Sequence, residues 1–256
     1  MLSVSGRRRV LCLLVTLLPC LLFADDVVTV AVASNFAVTA EKISTAFTRE
    51  SGVPVRISSG STGKLYAQII NGAPFDVFLS ADAKRPLLLE QSGYIVSGSR
   101  RNYAIGGLVL WSFDERLRGK DCHESLQRGD FNWVALANPN TAPYGFAARE
   151  VLEAAGLWED ATRRAVFGEN IAQALNFVVT GNATLGFVAK SQTVNLDLPA
   201  AVCAWQVPGS LHTPLYQQLV VLKKAGNTAG AQRFVDFLGT PLAGEIISRS
   251  GYTVPD

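Results

Sequence analysis

Between Val27 and Ala33 the chain reads VVTVAVA, a run without charge in which most residues are β-branched. Such a stretch has no polar face to offer to water. It suits a strand covered on both sides, and therefore a parallel sheet flanked by helices. The residues that follow continue this pattern. Phe36, Ala40, Ile43 and Phe47 recur at spacings of four, three and four, a helical stripe that Gly52 closes. Val53, Val55 and Ile57 alternate as a second strand. Beyond the turn SSGSTGK, Leu65, Tyr66, Ile69 and Ile70 line a second helix, broken by Gly72-Ala73-Pro74. FDVFL (75–79) is a third strand, and Pro86 to Gln91 starts another helix. This βαβαβ order implies a doubly wound, mostly parallel sheet.

The stretch from Tyr103 to Trp111 turns extended around Gly106-Gly107, where the chain crosses into a second lobe. WVALA (133–137) is a strand, ANPNTAPYG a turn, and Ala147, Val151, Leu152 and Ala155 form a helix stripe. Ile171, Ala174, Leu175, Val178 and Val179 match the amphipathic template without a miss, with Asn170 as N-cap and Gly181 as C-cap. LGFV (185–188) is the next strand. LYQQLVVL (215–222) carries the chain back, and helices with Phe234, Phe237, Leu238, Leu242 and Ile246 pack on the first lobe. Residues 25–105 with 215–256 therefore form lobe I and 106–214 form lobe II. The ligand is expected in the cleft between them, at the carboxyl ends of the strands.

The first 24 residues combine Arg7-Arg8-Arg9, an apolar run from Val10 and a Leu22-Phe23-Ala24 end, the pattern of a secretory signal peptide cleaved after Ala24. Pro19 and the following Asp25-Asp26 argue against a membrane anchor. The net charge of +2 is a property of this leader, which holds three of the 23 basic residues and none of the 21 acidic ones. What remains lacks the basic footprint that nucleic-acid binding needs. In an oxidising compartment Cys122 and Cys203 read as one disulfide, or else as two free buried thiols. His123 and His212 each stand apart from other ligand-type residues, so no protein-ligated metal is expected. His123 lies in the charged KDCHE stretch, read as a solvated loop.

Four turns share one design of strand end, small polar residues and helix start: Ala33-Ser34-Asn35, Ser59-Gly60-Ser61-Thr62-Gly63, Thr141 to Gly145, and Glu169-Asn170-Ile171. A helix start carries N–H groups without intrahelical acceptors and the positive end of the macrodipole, so it favours an anion. Helix capping alone explains any one such turn. Four at matching sheet ends, two from each lobe, point to a shared anion. The second turn is not a nucleotide loop, because Ser58 stands where that motif needs glycine and Leu65 follows Lys64. As a nucleophile elbow around Ser61 it has Ser59 in place of the first glycine, and the two distant histidines are the available bases. Lys64 reads as a solvent-facing residue of the first helical turn.

Ser34-Asn35 after the VAVA strand, SSGSTGKLYAQI, NGAPFDVFLSAD (71–82), Pro143-Tyr144-Gly145, Glu169-Asn170-Ile171 and Leu185-Gly186-Phe187-Val188 together resemble the periplasmic molybdate-binding proteins of ABC importers, the ModA family. The resemblance implies an α/β, two-lobed periplasmic binding protein fold of type II. It implies a tetrahedral oxyanion, molybdate or tungstate, held without cationic side chains. Carried over residue by residue, the site contains Ser34, Asn35, Ser61 and Thr62, with Tyr144 and Ile171 at positions where the family uses main-chain N–H groups. Some members place an anion-binding tyrosine where this chain has Ala189, so Asn35 or Tyr144 compensates or the shell has one donor fewer. The expectation is a soluble periplasmic monomer that is not an enzyme, needs no cofactor and delivers its ligand to a membrane permease. The alternatives are another tetrahedral oxyanion such as sulfate, or a secreted serine hydrolase.

Overall fold

A computed structural model describes residues 27–195 and 200–255; the expected signal peptide lies outside the described residues. Strand β1 (Val28–Ala33) leads into α1 (Ala37–Ser51), β2 (Val55–Gly60), α2 (Thr62–Ile70), β3 (Val77–Leu79) and α3 (Lys84–Gln91). Then come β4 (Arg101–Gly106) and β5 (Leu108–Ser112), separated by Gly107 alone. The chain continues through α4 (Cys122–Arg128), β6 (Val134–Ala137), α5 (Pro143–Ala154), α6 (Trp158–Arg163), β7 (Ala165–Gly168), α7 (Ile171–Val179), β8 (Leu185–Ala189), α8 (Lys190–Asn195) and β9 (Cys203–Gln206). It closes with β10 (Leu215–Val221), α9 (Thr228–Leu238) and α10 (Pro241–Arg249).

These strands form two five-stranded sheets, β2-β1-β3-β10-β4 and β7-β6-β8-β5-β9. Each is mixed. β1 is parallel to β2 and β3, and β6 is parallel to β7 and β8, as the βαβ units require. The strands that follow a crossing, β5 and β10, enter the interior of their sheets antiparallel to both neighbours.

β1 shows why its sequence is so apolar: five of its six residues are buried, with α1, α9 and α10 on one side and α2 on the other. Phe36, Ala40, Ile43 and Phe47 all lie in the first of these layers. Burying each large member contributes roughly 1.5–3 kcal/mol. Phe47 meets Phe234 and Phe237 edge to face, locking the C-terminal helices onto α1.

The expected stripes are broader than the faces the helices bury. Ile70, Val179 and Leu242 are 39–40 % exposed and Ala155 is exposed too, because each sits at the last or first turn of its helix, beyond the sheet. α10 buries Ala243 and Ile247 instead of Leu242. The KDCHE stretch is not a loop: it starts α4, with Asp121 accepting from the Glu124 N–H and Gly129 ending the helix at positive φ. Cys122 and Cys203 are joined, tying α4 to β9 with Cα atoms 5.5 Å apart. His123 stacks on Trp205 beside the bridge. Among the described residues no helix is long and apolar enough to cross a membrane.

Candidate functional site

The carboxyl ends of β1, β2, β6 and β7 each feed a helix start, and the four starts face one another across the cleft. They line a hollow of about 180 Å³ of atom-free space, part of it open to solvent. All six residues expected at the site (Ser34, Asn35, Ser61, Thr62, Tyr144 and Ile171) line it, with Ala33, Gly60, Ala81, Ala142, Pro143 and Asn170 completing the wall. None of these side chains is charged. Pockets for drug-sized molecules run to roughly 300–1,000 Å³, far more than this hollow offers, so it has room for no more than one compact ion. A wider hollow of about 720 Å³ lies against Ile69, Phe75, Leu222 and Lys223. It adjoins the carboxyl ends of α2 and α3, whose carbonyls are the wrong pole for an anion.

Each turn is built to leave donors unspent. After β1 a 3-10 turn, Ser34 to Phe36, runs directly into α1, and no side chain caps either start. Ser61 is the N-cap of α2; its hydroxyl oxygen accepts from the Lys64 N–H at 3.4 Å. The neighbouring Thr62 oxygen accepts from the Ala81 N–H at 3.2 Å. A hydroxyl that accepts from the main chain keeps its own proton to donate, so both side chains are oriented donors. Both are buried, at 3 % and 1 % exposure.

Lobe II uses a different device. α5 begins with Pro143, which has no N–H, and no side chain caps it. The Asn170 side-chain oxygen, Oδ1, caps the second and third N–H groups of α7, at 3.0 and 3.1 Å, and leaves that of Ile171. Gly145 lets α5 start this close to β6: a Cβ there would lie 2.2 Å from the Ala137 oxygen.

The rim carries charge that the wall does not. Lys64 of α2 pairs with Glu169 of lobe II at 2.5 Å, both side chains half exposed. Arg85 pairs with Asp82 and donates across the cleft to the Asn140 oxygen at 3.1 Å. The Gly63 N–H donates to the Thr141 oxygen at 2.8 Å, a third direct link between lobes. Lys64 is thus a bridging residue and more than a free surface cation. Both cations face carboxylates, and neither lines the cavity.

The side chains of Asn35 and Tyr144, the two candidates to offset the tyrosine missing at Ala189, are already engaged with protein groups. Asn35 spends its amide hydrogens on Gln217 at 2.9 Å and Tyr252 at 3.0 Å, and the Tyr144 hydroxyl accepts from Gln217 at 3.2 Å. Ala189 is buried, and its N–H donates to Gln192. Sequence reasoning missed Gln217 and Tyr252. The signal available was the pair of glutamines inside the otherwise apolar LYQQLVVL run. Neither histidine lines the cavity with Ser61, so that serine has no imidazole base there.

Residues 28–253 match the family model of bacterial extracellular solute-binding proteins. The chain is 44 % identical over 250 residues to the molybdate-binding protein ModA of Azotobacter vinelandii, covering 98 % of each. It is also 44 % identical over 222 residues to that of Rhodobacter capsulatus, covering 87 % of this chain and 86 % of the relative. The chain belongs to the bacterial extracellular solute-binding protein family, among its ModA members. This family consists of solute-binding proteins rather than enzymes. The solved periplasmic molybdate-binding protein of Azotobacter vinelandii superposes with a TM-score of 0.83 at 38 % identity, covering 90 % of this chain and all of that one. The two-lobed fold is therefore shared throughout.

Proposed function

We propose that this protein captures molybdate, and tungstate through the same contacts, outside the cytoplasm and presents it in the closed form to the permease of an ABC importer. The observation that carries this reading is the convergence of four helix starts from two lobes on one small, uncharged hollow. The ModA relatives support the choice of ion.

Binding follows from the donor set. Ser34, Ser61 and Thr62 supply hydroxyl protons, and the first turns of the helices supply N–H groups and their dipoles. A hydrogen bond to a charged acceptor contributes roughly 1.5–3 kcal/mol, so about six fixed donors offset the dehydration of a dianion. No carboxylate lines the wall, and Glu169 is taken by Lys64. A protonated anion such as hydrogen phosphate therefore lacks a carboxylate acceptor for its proton. Closure about the Gly106-Gly107 crossing and the return segment 207–214 then seals the ion from water.

Titration calorimetry with molybdate, tungstate, sulfate and phosphate at matched ionic strength tests this reading. The expected result is one ion bound per monomer for the two heavy oxyanions and much weaker heat for the others. Absence of heat with both heavy oxyanions overturns it, and preference for sulfate moves the protein to a neighbouring receptor class.

A further inference from the structure

Gln217 lies inside β10 with no exposed surface, and a buried amide must find partners for both its ends. Its Oε1 accepts from Asn35 Nδ2 at 2.9 Å and from the Tyr103 hydroxyl at 3.0 Å. Its Nε2 donates to the Tyr144 hydroxyl at 3.2 Å. Asn35 and Tyr103 belong to lobe I, but Tyr144 opens α5 in lobe II. One side chain thus links the two turn residues that line the cavity from opposite lobes. The Asn35 carbonyl is held as firmly: it accepts from the Tyr252 hydroxyl at 2.7 Å and from Ser191 of α8 at 3.0 Å, the latter a further contact between lobes.

The backbone accommodates this arrangement at two places. The register of β10 against β4 shifts between Gln217 and Gln218, the kind of bulge that re-aims a side chain. Gly106, at the crossing, leaves room for the incoming ring: a Cβ there would lie 2.1 Å from the Tyr144 oxygen and 2.7 Å from Gln217 Nε2. Burial pushes the hydroxyls of Tyr103 and Tyr144 well above the usual tyrosine range and that of Tyr252 upward too, so all three stay neutral hydrogen-bonding groups at neutral pH.

We propose that Gln217 is a positioning residue for anion capture: its amide joins the Asn35 turn to the Tyr144 helix start only in the closed form, so that closing the lobes and aligning the main-chain donors are one event. This rests on the anion-capture reading above. When the lobes separate, the Nε2–Tyr144 bond is broken and water takes its place. When they close, the bond forms in a dry, low-dielectric setting where it is stronger. The link therefore favours the state in which the Tyr144 and Asn35 N–H groups face the ion, without touching the ion itself.

The test uses molybdate as the probe, with calorimetry for Kd and stopped-flow protein fluorescence for the rates, on the parent, Gln217→Leu, Tyr144→Phe and the double variant. Gln217→Leu is expected to weaken binding about tenfold, through faster release with an unchanged association rate, because encounter occurs in the open form. The double variant is expected to be no weaker than the weaker single one, since both remove the same contact. Tyr144→Phe deletes a single oxygen and carries the measurement should Gln217→Leu not fold. A parent that binds molybdate, with release rates of both single variants within twofold of it, overturns the inference. So does strict additivity in the double variant. A parent that binds no molybdate removes the capture reading itself, a result distinct from either.

Discussion

The two lobes meet the same requirement with different chemistry. In the proposed reading lobe I adds the hydroxyls of Ser34, Ser61 and Thr62 to its helix starts, while lobe II offers main-chain N–H groups alone, at Tyr144 and Ile171. Lobe I therefore depends on which residue stands at a position. Lobe II depends on where a helix begins. The same contrast extends to how the lobes are held: the disulfide is in lobe II, while lobe I is closed by aromatic packing of its C-terminal helices.

The sharpest challenge to this contrast is to move a helix start. Gly145→Ala places a Cβ against the Ala137 carbonyl, and the expected outcome is loss of molybdate affinity by at least about 100-fold, measured by calorimetry on protein that still melts cooperatively. A full-affinity Gly145→Ala would mean that α5 does not act through its placement. Next in size, Thr62→Ala removes both a hydroxyl donor and the acceptor of the Ala81 N–H. Binding should weaken roughly 10- to 100-fold, and Ser34→Ala, at a less buried position, should cost less.

Replacing Cys122 and Cys203 with serine separates stability from binding. The bridge closes a loop of 81 residues, for which chain entropy gives about 4–5 kcal/mol of stabilisation. The melting temperature should fall clearly while affinity changes less than about threefold, since neither cysteine lines the cavity. Lys64→Ala should alter mainly the salt dependence of binding, because an exposed pair such as Lys64–Glu169 contributes about 0–1 kcal/mol. Loss of binding at every salt concentration would contradict a neutral wall. Smallest of all, Ile171→Val should stay within about twofold, because the main-chain N–H is unchanged.

The sequence made the first lobe's strand order and the four turns readable because both are local signals. An apolar period, an N-cap and a glycine all lie within a few residues of one another. Helix faces were less readable at their ends, where Val179 and Ile70 continue the stripe after the sheet beneath has stopped. The start of α4 was hidden by charge, although Asp121 three residues before Glu124 was a capping signal in plain view. The network around Gln217 has no local signature. Its members come from positions 35, 103, 144, 191, 217 and 252, and folding alone brings them together.

β10 occupies an interior place in the first sheet, between β3 and β4, yet it is made after every residue of the second sheet. A growing or translocating chain consequently holds four strands of lobe I in waiting until its last segment arrives, while the strands of the second sheet follow one another without interruption from β5 to β9. Truncation from the carboxyl terminus would thus take an interior strand from the earliest-made sheet and none from the second.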